Sequence, residues 1–126
     1  MLEILKALAD ETRLRILAQL LKSEMCVCEI EECLGLTQSN ASRHLTVLKK
    51  AGVLESEKKA QWIYYRISEV FMQEHHSLYD YLREEICRLP CYEKDCENYT
   101  KCKLQDLCAC KRPPVFRQAK YNYKED

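Results

Sequence analysis

The chain reads as a mainly α protein carrying one β-hairpin, and three observations lead there. Two short helical patterns lie close together, separated only by Gly35 and Leu36. After Gly52 the period changes to β-branched and aromatic residues flanking a charged tip. From Ser68 a helical spacing resumes and runs until Pro90 closes it. At 126 residues the chain makes one domain, small enough that an oligomer would be unsurprising.

In chain order, residues 2–8 form a short amphipathic helix that ends before Asp10. A second helix begins where Asp10 or Thr12 can cap it, and turns Leu14, Ile16, Leu17, Leu20 and Leu21 inward. The close pair of helices follows. Gly35 suits the end of the first and Thr37 the N-cap of the second, while Gly52 suits the stop after Lys49 and Lys50, whose charges complement the helix dipole. In the second helix Ala41, Leu45 and Leu48 fall at i, i+4 and i+7, one buried stripe, and Gln38, Ser39, Ser42, Arg43, Thr46 and Lys50 face elsewhere. Two helices joined by so tight a turn read as a helix-turn-helix whose second helix is offered to a partner. Residues 53–57 and 62–67 are the hairpin strands, with Lys58 and Lys59 near the tip, where they can meet phosphates. Val70, Phe71, His75, Leu78, Leu82 and Ile86 then predict one long helix from Ser68 to about residue 89.

Beyond Pro90 the pattern fails. This stretch has no clean period, little aliphatic content and five cysteines, Cys91, Cys96, Cys102, Cys108 and Cys110, with Cys87 just upstream. It cannot bury enough apolar surface to fold alone, so something must cross-link or dock it. The expected organisation is a helix-turn-helix domain with its hairpin over 1–89, a cysteine-rich extension over 90–112 and a flexible tail over 113–126.

The formal net charge is zero, which by itself argues against nucleic acid. The local balance argues for it: between residues 37 and 66, Arg43, Lys49, Lys50, Lys58, Lys59 and Arg66 face only Glu55 and Glu57. No apolar run approaches a membrane span and no signal-peptide pattern opens the chain, so a cytoplasmic protein without a membrane partner is expected. In that compartment nine cysteines are thiols, metal ligands or redox groups before they are disulfides. No Cys-x-x-Cys beside a βαβ pattern and no Cys/His nucleophile pair is visible, so an enzyme is not expected.

Cys26 and Cys28 stand at the mouth of the helix-turn-helix. Two thiolates this close suit soft or borderline ions such as arsenite, antimonite, cadmium, lead, copper(I) or zinc. Residues two apart on a regular helix point about 200° from each other, so the two cannot share an ion while both are helical. Either the helix starts after Cys26, or binding unwinds its first turn. Cys33 lies too far along the helix from Cys26 to join it and reads as packing.

Four segments together carry a resemblance: KALADETRLRIL at 6–17, EMCVCEI at 24–30, SNASRHLTVLKKAGVL at 39–54 and QWIYYRI at 61–67. In this order they resemble the ArsR (ArsR/SmtB) family of metal-sensing winged helix-turn-helix repressors. The resemblance implies a homodimer paired through its terminal helices, a near-palindromic double-stranded operator, and release of DNA on binding a metal or metalloid. It makes the hairpin the wing, whose turn in the family usually carries glycine where this chain has Ala60, a difference that a longer or shifted loop would accommodate. The DNA-facing candidates are Gln38, Ser39, Asn40, Ser42, Arg43, Thr46, Lys50, Lys58 and Lys59, with Arg43 suited to guanine or phosphate and Asn40 or Gln38 to adenine; His44 is expected to bond within the domain. Arsenite or antimonite is the expected inducer, with a cadmium, lead or zinc sensor and a thiol-redox switch as alternatives. Arsenite sensors of this kind often place a third cysteine where this chain has Glu31, so the third ligand must come from Cys87, Cys91, Cys96, Cys102, Cys108 or Cys110, of the same or the partner subunit. Those cysteines could instead enclose a structural zinc or an iron–sulfur centre, or stay unliganded. His75 and His76 lack the acid and histidine spacing of the zinc site found in some relatives.

Overall fold

A computed structural model describes residues 1–105. Helices α1 (Leu2–Leu8) and α2 (Glu11–Leu20) lead into a two-residue strand β1 (Met25–Cys26), followed by α3 (Val27–Leu34), α4 (Gln38–Lys50), strands β2 (Leu54–Lys59) and β3 (Trp62–Ile67), then α5 (Glu69–Glu74), α6 (His76–Glu85), a 3-10 turn at Ile86–Arg88 and α7 (Tyr92–Gln105). The three strands form one antiparallel sheet in the order β1-β3-β2.

The helix boundaries follow the capping chemistry of the sequence. Asp10 accepts the Arg13 amide, Thr37 the Asn40 amide at 3.2 Å, and Ser68 the Phe71 amide at 3.3 Å. Gly35 ends α3 in the left-handed region at φ 68°, a conformation that only glycine adopts without cost. The core gathers Ile4 and Leu8 of α1, Ile16 and Leu17 of α2, Ile30 and Leu34 of α3, Leu45 and Leu48 of α4, and Ile67 and Phe71 beyond the sheet.

Two expectations need correction, and one element was not expected. The predicted single helix from Ser68 is two helices, interrupted at His75, whose φ of −122° and ψ of 43° are not helical. Phe71 anchors α5 in the core and its ring packs against His75 (5.8 Å between centroids) and edge-on to Tyr79 (6.4 Å), so the chain changes direction to seat these rings. The wing turn is neither lengthened nor shifted by the lack of glycine: Lys59 pairs with Trp62 across a two-residue turn, and Ala60 itself takes a φ of 59°. Strand β1 was not foreseen, because two residues carry no alternation to read.

The segment after Pro90 docks. Helix α7 packs against α2 and α3. Asp95, only 2% exposed, receives a bidentate pair from Arg15, with Nε at 2.9 Å and Nη2 at 3.0 Å. Arg15 also donates to the carbonyl of Leu34 at 3.1 Å, so one guanidinium joins α2, the end of α3 and α7. Tyr99 meets Ser23 at 2.9 Å, and Cys102 is buried in the core cluster. Cys108, Cys110 and the expected tail over 113–126 lie outside the described residues.

Candidate nucleic-acid interface and thiol site

Helix α4 buries one stripe and exposes another. Ala41, Leu45 and Leu48 are fully buried, and His44 beside them is nearly so. Gln38, Ser39, Asn40, Ser42, Arg43, Thr46 and Lys50 are all exposed, so the structure places seven of the nine predicted contacts on one helix with its side chains turned to solvent. Arg43 reaches back to the Asn40 side chain at 3.2 Å, a contact that both groups can exchange for a base edge. His44 bonds within the domain: its Nδ1 lies 3.1 Å from Nη1 of Arg13, whose other donors serve the carbonyls of Ala7 and Lys6. Burial, then the charges of Arg43 and Arg13, hold the His44 imidazole below its ordinary pKa against the opposing pull of Asp10.

The wing divides the remaining two candidates. Lys58 is exposed, whereas Lys59 is 7% exposed and donates to Glu24 at 2.6 Å. Lys59 thus secures the wing to the strand that carries Cys26 and does not face a phosphate. Arg66 is likewise occupied, pairing with Glu55 and Glu57 at 2.9 Å each and with Glu24 at 3.7 Å. The local cationic excess read from the sequence is therefore smaller at the surface, and rests on Arg43, Lys49, Lys50 and Lys58. Glu24 is the residue that sequence reasoning missed; its partners lie 35 and 42 positions downstream in a strand register that composition does not reveal.

At the thiol pair, the helix starts after Cys26. Cys26 is the N-cap of α3, with φ −86° and ψ 168°, and it also pairs with Tyr64 in the sheet. Its amide donates to the Glu29 carboxylate at 3.1 Å, a buried bond that ties the strand end to the first helical turn. With Cys26 extended, the two residues are not both held in one regular helix, so the helical angle that would turn their sulfurs apart does not apply. Cys26 is buried at 3% exposure and Cys28 is half-buried. Cys33 is fully buried among the apolar residues of the core.

The later cysteines separate. Cys91 and Cys102 line a cleft of about 380 Å³ with Arg15, Lys94, Asp95 and Asn98. Burial and the adjacent Asp95 push the Cys91 thiol up. Cys96 accepts from the Lys22 ammonium at 2.9 Å, and Cys87 donates over 3.7 Å to the carbonyl of Arg83. Among the described residues no three His, Cys, Asp or Glu side chains converge as a metal-binding cluster, and Cys108 and Cys110, on which the expected zinc or iron–sulfur centre also draws, lie outside them. His75 and His76 join no such cluster. No helix among the described residues is long and apolar enough to cross a membrane.

Residues 10–56, which span α2 to the start of the wing, match the family of bacterial regulatory proteins of the arsR type. The arsenical resistance operon repressor of Bacillus subtilis is 39% identical over 83 residues, 65% of this chain and 73% of that protein. The chain belongs to the ArsR family. Its members are DNA-binding transcriptional regulators built on the winged helix-turn-helix, and the architecture agrees: the homodimeric winged helix-turn-helix domain Mb0332 of Mycobacterium bovis superimposes with a TM-score of 0.58 at 31% identity, covering 67% of this chain and 78% of that one. The arsenic resistance regulator ArsR1 of Pseudomonas putida is 45% identical over 65 residues, and the match spans about half of each protein, 51% in both. The family match over residues 10–56 ends before α5, α6 and α7.

Proposed function

We propose that this chain is a transcriptional repressor that acts as a homodimer, sets one α4 per half-site into the major grooves of a near-palindromic operator, and releases the DNA when arsenite or antimonite is captured at Cys26 and Cys28. One observation carries the reading: Cys26 is at once a strand residue hydrogen-bonded into the wing sheet, the N-cap of the first helix of the DNA-reading pair, and a buried thiol. An ion can reach that sulfur only if the β1–α3 junction moves, and a metalloid–sulfur bond then holds it moved. Wing and helix-turn-helix shift together, and the fit of α4 to the groove is lost.

The exposed side chains of α4 supply the base and phosphate contacts, with Lys58 adding a phosphate contact from the wing. Leu2 and Leu5 of α1 and Val70 and Tyr81 of α5 and α6, all exposed, support a dimer through the terminal helices, as does the homodimeric M. bovis relative. The third donor comes from the cysteines after Ile86 of the same or the partner subunit. The arsenic-resistance names of the relatives favour a metalloid over cadmium, lead or zinc.

The test begins with an operator selected from random duplexes by the purified protein and followed by fluorescence anisotropy. Near-stoichiometric arsenite or antimonite should release it. Cys26→Ser and Cys28→Ser should bind DNA normally and fail to release, because serine at position 26 remains a good N-cap. Undiminished operator affinity in the arsenite-loaded protein would end this reading; release by cadmium, lead or zinc alone would move it to the metal-ion alternative.

A further inference from the structure

Glu24 stands two residues before Cys26 and ties the sensing strand to the wing by charge. Strand β1 meets the hairpin through two backbone pairs, Met25 with Tyr65 and Cys26 with Tyr64. The register continues by one step to set Glu24 opposite Arg66, and Oε2 of Glu24 lies 3.7 Å from Nη1 of that arginine. Its other oxygen accepts from Lys59 at 2.6 Å, on the far strand β2. Strand β3 lies between, so this pair reaches across two strand spacings, roughly 10 Å of sheet. Alternate residues of a strand share a face, which puts Glu24, Cys26, Tyr64 and Lys59 on one side of the sheet. The Lys59 ammonium sits 5.6 Å from the ring centroid of Tyr64, the residue that pairs with Cys26.

Burial makes this contact stiff. The side chains of Lys59 and Glu24 are 8% and 16% exposed, so salt screens the pair little and parting it leaves a charge without its partner away from water. Arg66 is 40% exposed and already held by Glu55 and Glu57, so it adds less. A ladder of two pairs at a sheet edge can part while the hairpin stays where it is; a buried ion pair across the sheet prevents that. We propose that Glu24 is a positioning residue that carries ligand capture at Cys26 and Cys28 to the wing. With the Glu24–Lys59 pair intact the hairpin follows β1, and without it β1 moves alone. This rests on the metalloid reading above and adds the route by which capture is felt at the wing.

The consequence is thermodynamic. Inducer and operator each favour one placement of β1 relative to the wing, and their coupling is the ratio of operator affinities in the empty and the loaded protein. Where β1 and β2 move as one body, displacement at the Cys26 sulfur takes Lys58, the neighbour of Lys59, off its phosphate as well as α4 out of the groove. Where they move separately, α3 and α4 alone feel the capture, and part of the release is lost.

The experiment measures operator affinity of the full chain with and without saturating arsenite, and arsenite affinity by titration calorimetry, in wild type, Glu24→Gln, Lys59→Met and the two combined. The combined variant removes both charges and strands neither, so it folds even where a single change does not. It should bind arsenite as wild type does, while the factor by which arsenite weakens operator binding falls about tenfold, within the usual range of such couplings. Trp62, the single tryptophan, pairs with Lys59 and reports on the hairpin without DNA. Its emission should shift on arsenite capture in wild type and stay put in the combined variant. A merely structural role would weaken operator binding equally in the empty and loaded protein, and an unchanged release factor overturns the proposal. So does loss of arsenite binding in the combined variant, which would place Glu24 in capture rather than transmission. Wild type that keeps its operator when loaded defeats the metalloid reading itself, a different result from wild type and variant released alike.

Discussion

Helices α4 and α7 both pack on α3, and they are held there by opposite means. Helix α4 is seated by a stripe of wholly buried apolar residues, which leaves its polar side chains exposed. Helix α7 is pinned by polar anchors, above all the buried Asp95 under the guanidinium of Arg15, with Lys22 on Cys96 and Ser23 on Tyr99. A stripe distributes its energy over many contacts and cannot be released by one chemical event. An anchor concentrates it, and one proton, oxidant or substitution can undo it. The helix assigned to DNA is thus the firmly seated one, and the helix rich in thiols is the one that chemistry can dislodge.

The sharpest way to break this contrast is to damage each seat in turn. Leu45→Ala removes the centre of the α4 stripe, a fully buried side chain, and should cost about 2–5 kcal/mol of global stability in chemical denaturation. Asp95→Ala should cost about 2 kcal/mol, because it strands a guanidinium that retains Leu34 and some water: the Arg15 side chain is 22% exposed. The two losses should differ in place as well as size. Amide exchange should quicken across residues 92–105 in Asp95→Ala while α4 keeps its protection, whereas Leu45→Ala should loosen both. Equal deprotection of α4 in Asp95→Ala would show that the two seats form a single unit.

The same contrast explains what could be read from the chain beforehand. Helix α4 was legible because its signals are local: the i, i+4, i+7 stripe, Thr37 at one end, Gly52 near the other. The anchors of α7 were not, since Arg15 and Asp95 stand 80 positions apart and neither is unusual in its own neighbourhood. Lys59 failed for a related reason. It sits at the end of β2 as expected, but the face on which it falls is set by pairing with Trp62, and that face meets Glu24. The break at His75 has no glycine or proline to announce it; the aromatic packing of Phe71 and Tyr79 produces it. The position of Cys26 and Cys28 at the start of α3 could be read from the chain, while the pairing of Cys26 with Tyr64 of the wing required the sheet register.

A third region, the wing turn, rests on neither kind of seat and offers a smaller effect. Ala60 occupies φ 59°, where a Cβ costs roughly 1–2 kcal/mol, and it is exposed, so no packing is lost on its removal. Glycine gives back part of that gain through the entropy of the unfolded chain. Ala60→Gly should therefore stabilise by about 0.5–1 kcal/mol in thermal or chemical unfolding, with the Lys59–Trp62 register unchanged. A destabilised Ala60→Gly would mean that the turn is not strained.

The smallest expected effect lies within α4 itself and limits how far its seat can be called apolar. Arg13 has only donors, so the bond to His44 requires an unprotonated Nδ1 acceptor, and a proton there breaks it. His44 is held below its ordinary pKa by burial first and then by Arg43 and Arg13. The unfolded chain takes up that proton near pH 6.5, the folded chain only at lower pH, so between the two values the unfolded state binds more protons. The contribution of His44 is therefore complete above about pH 6.5 and is lost as pH falls from there towards the folded value. Denaturation from pH 7.5 to 5 should show wild type losing more stability than His44→Gln, whose amide oxygen can accept from Arg13 at any pH. Parallel curves would mean that the Arg13–His44 contact contributes nothing to the seating of α4, and that the stripe of Ala41, Leu45 and Leu48 holds the helix alone.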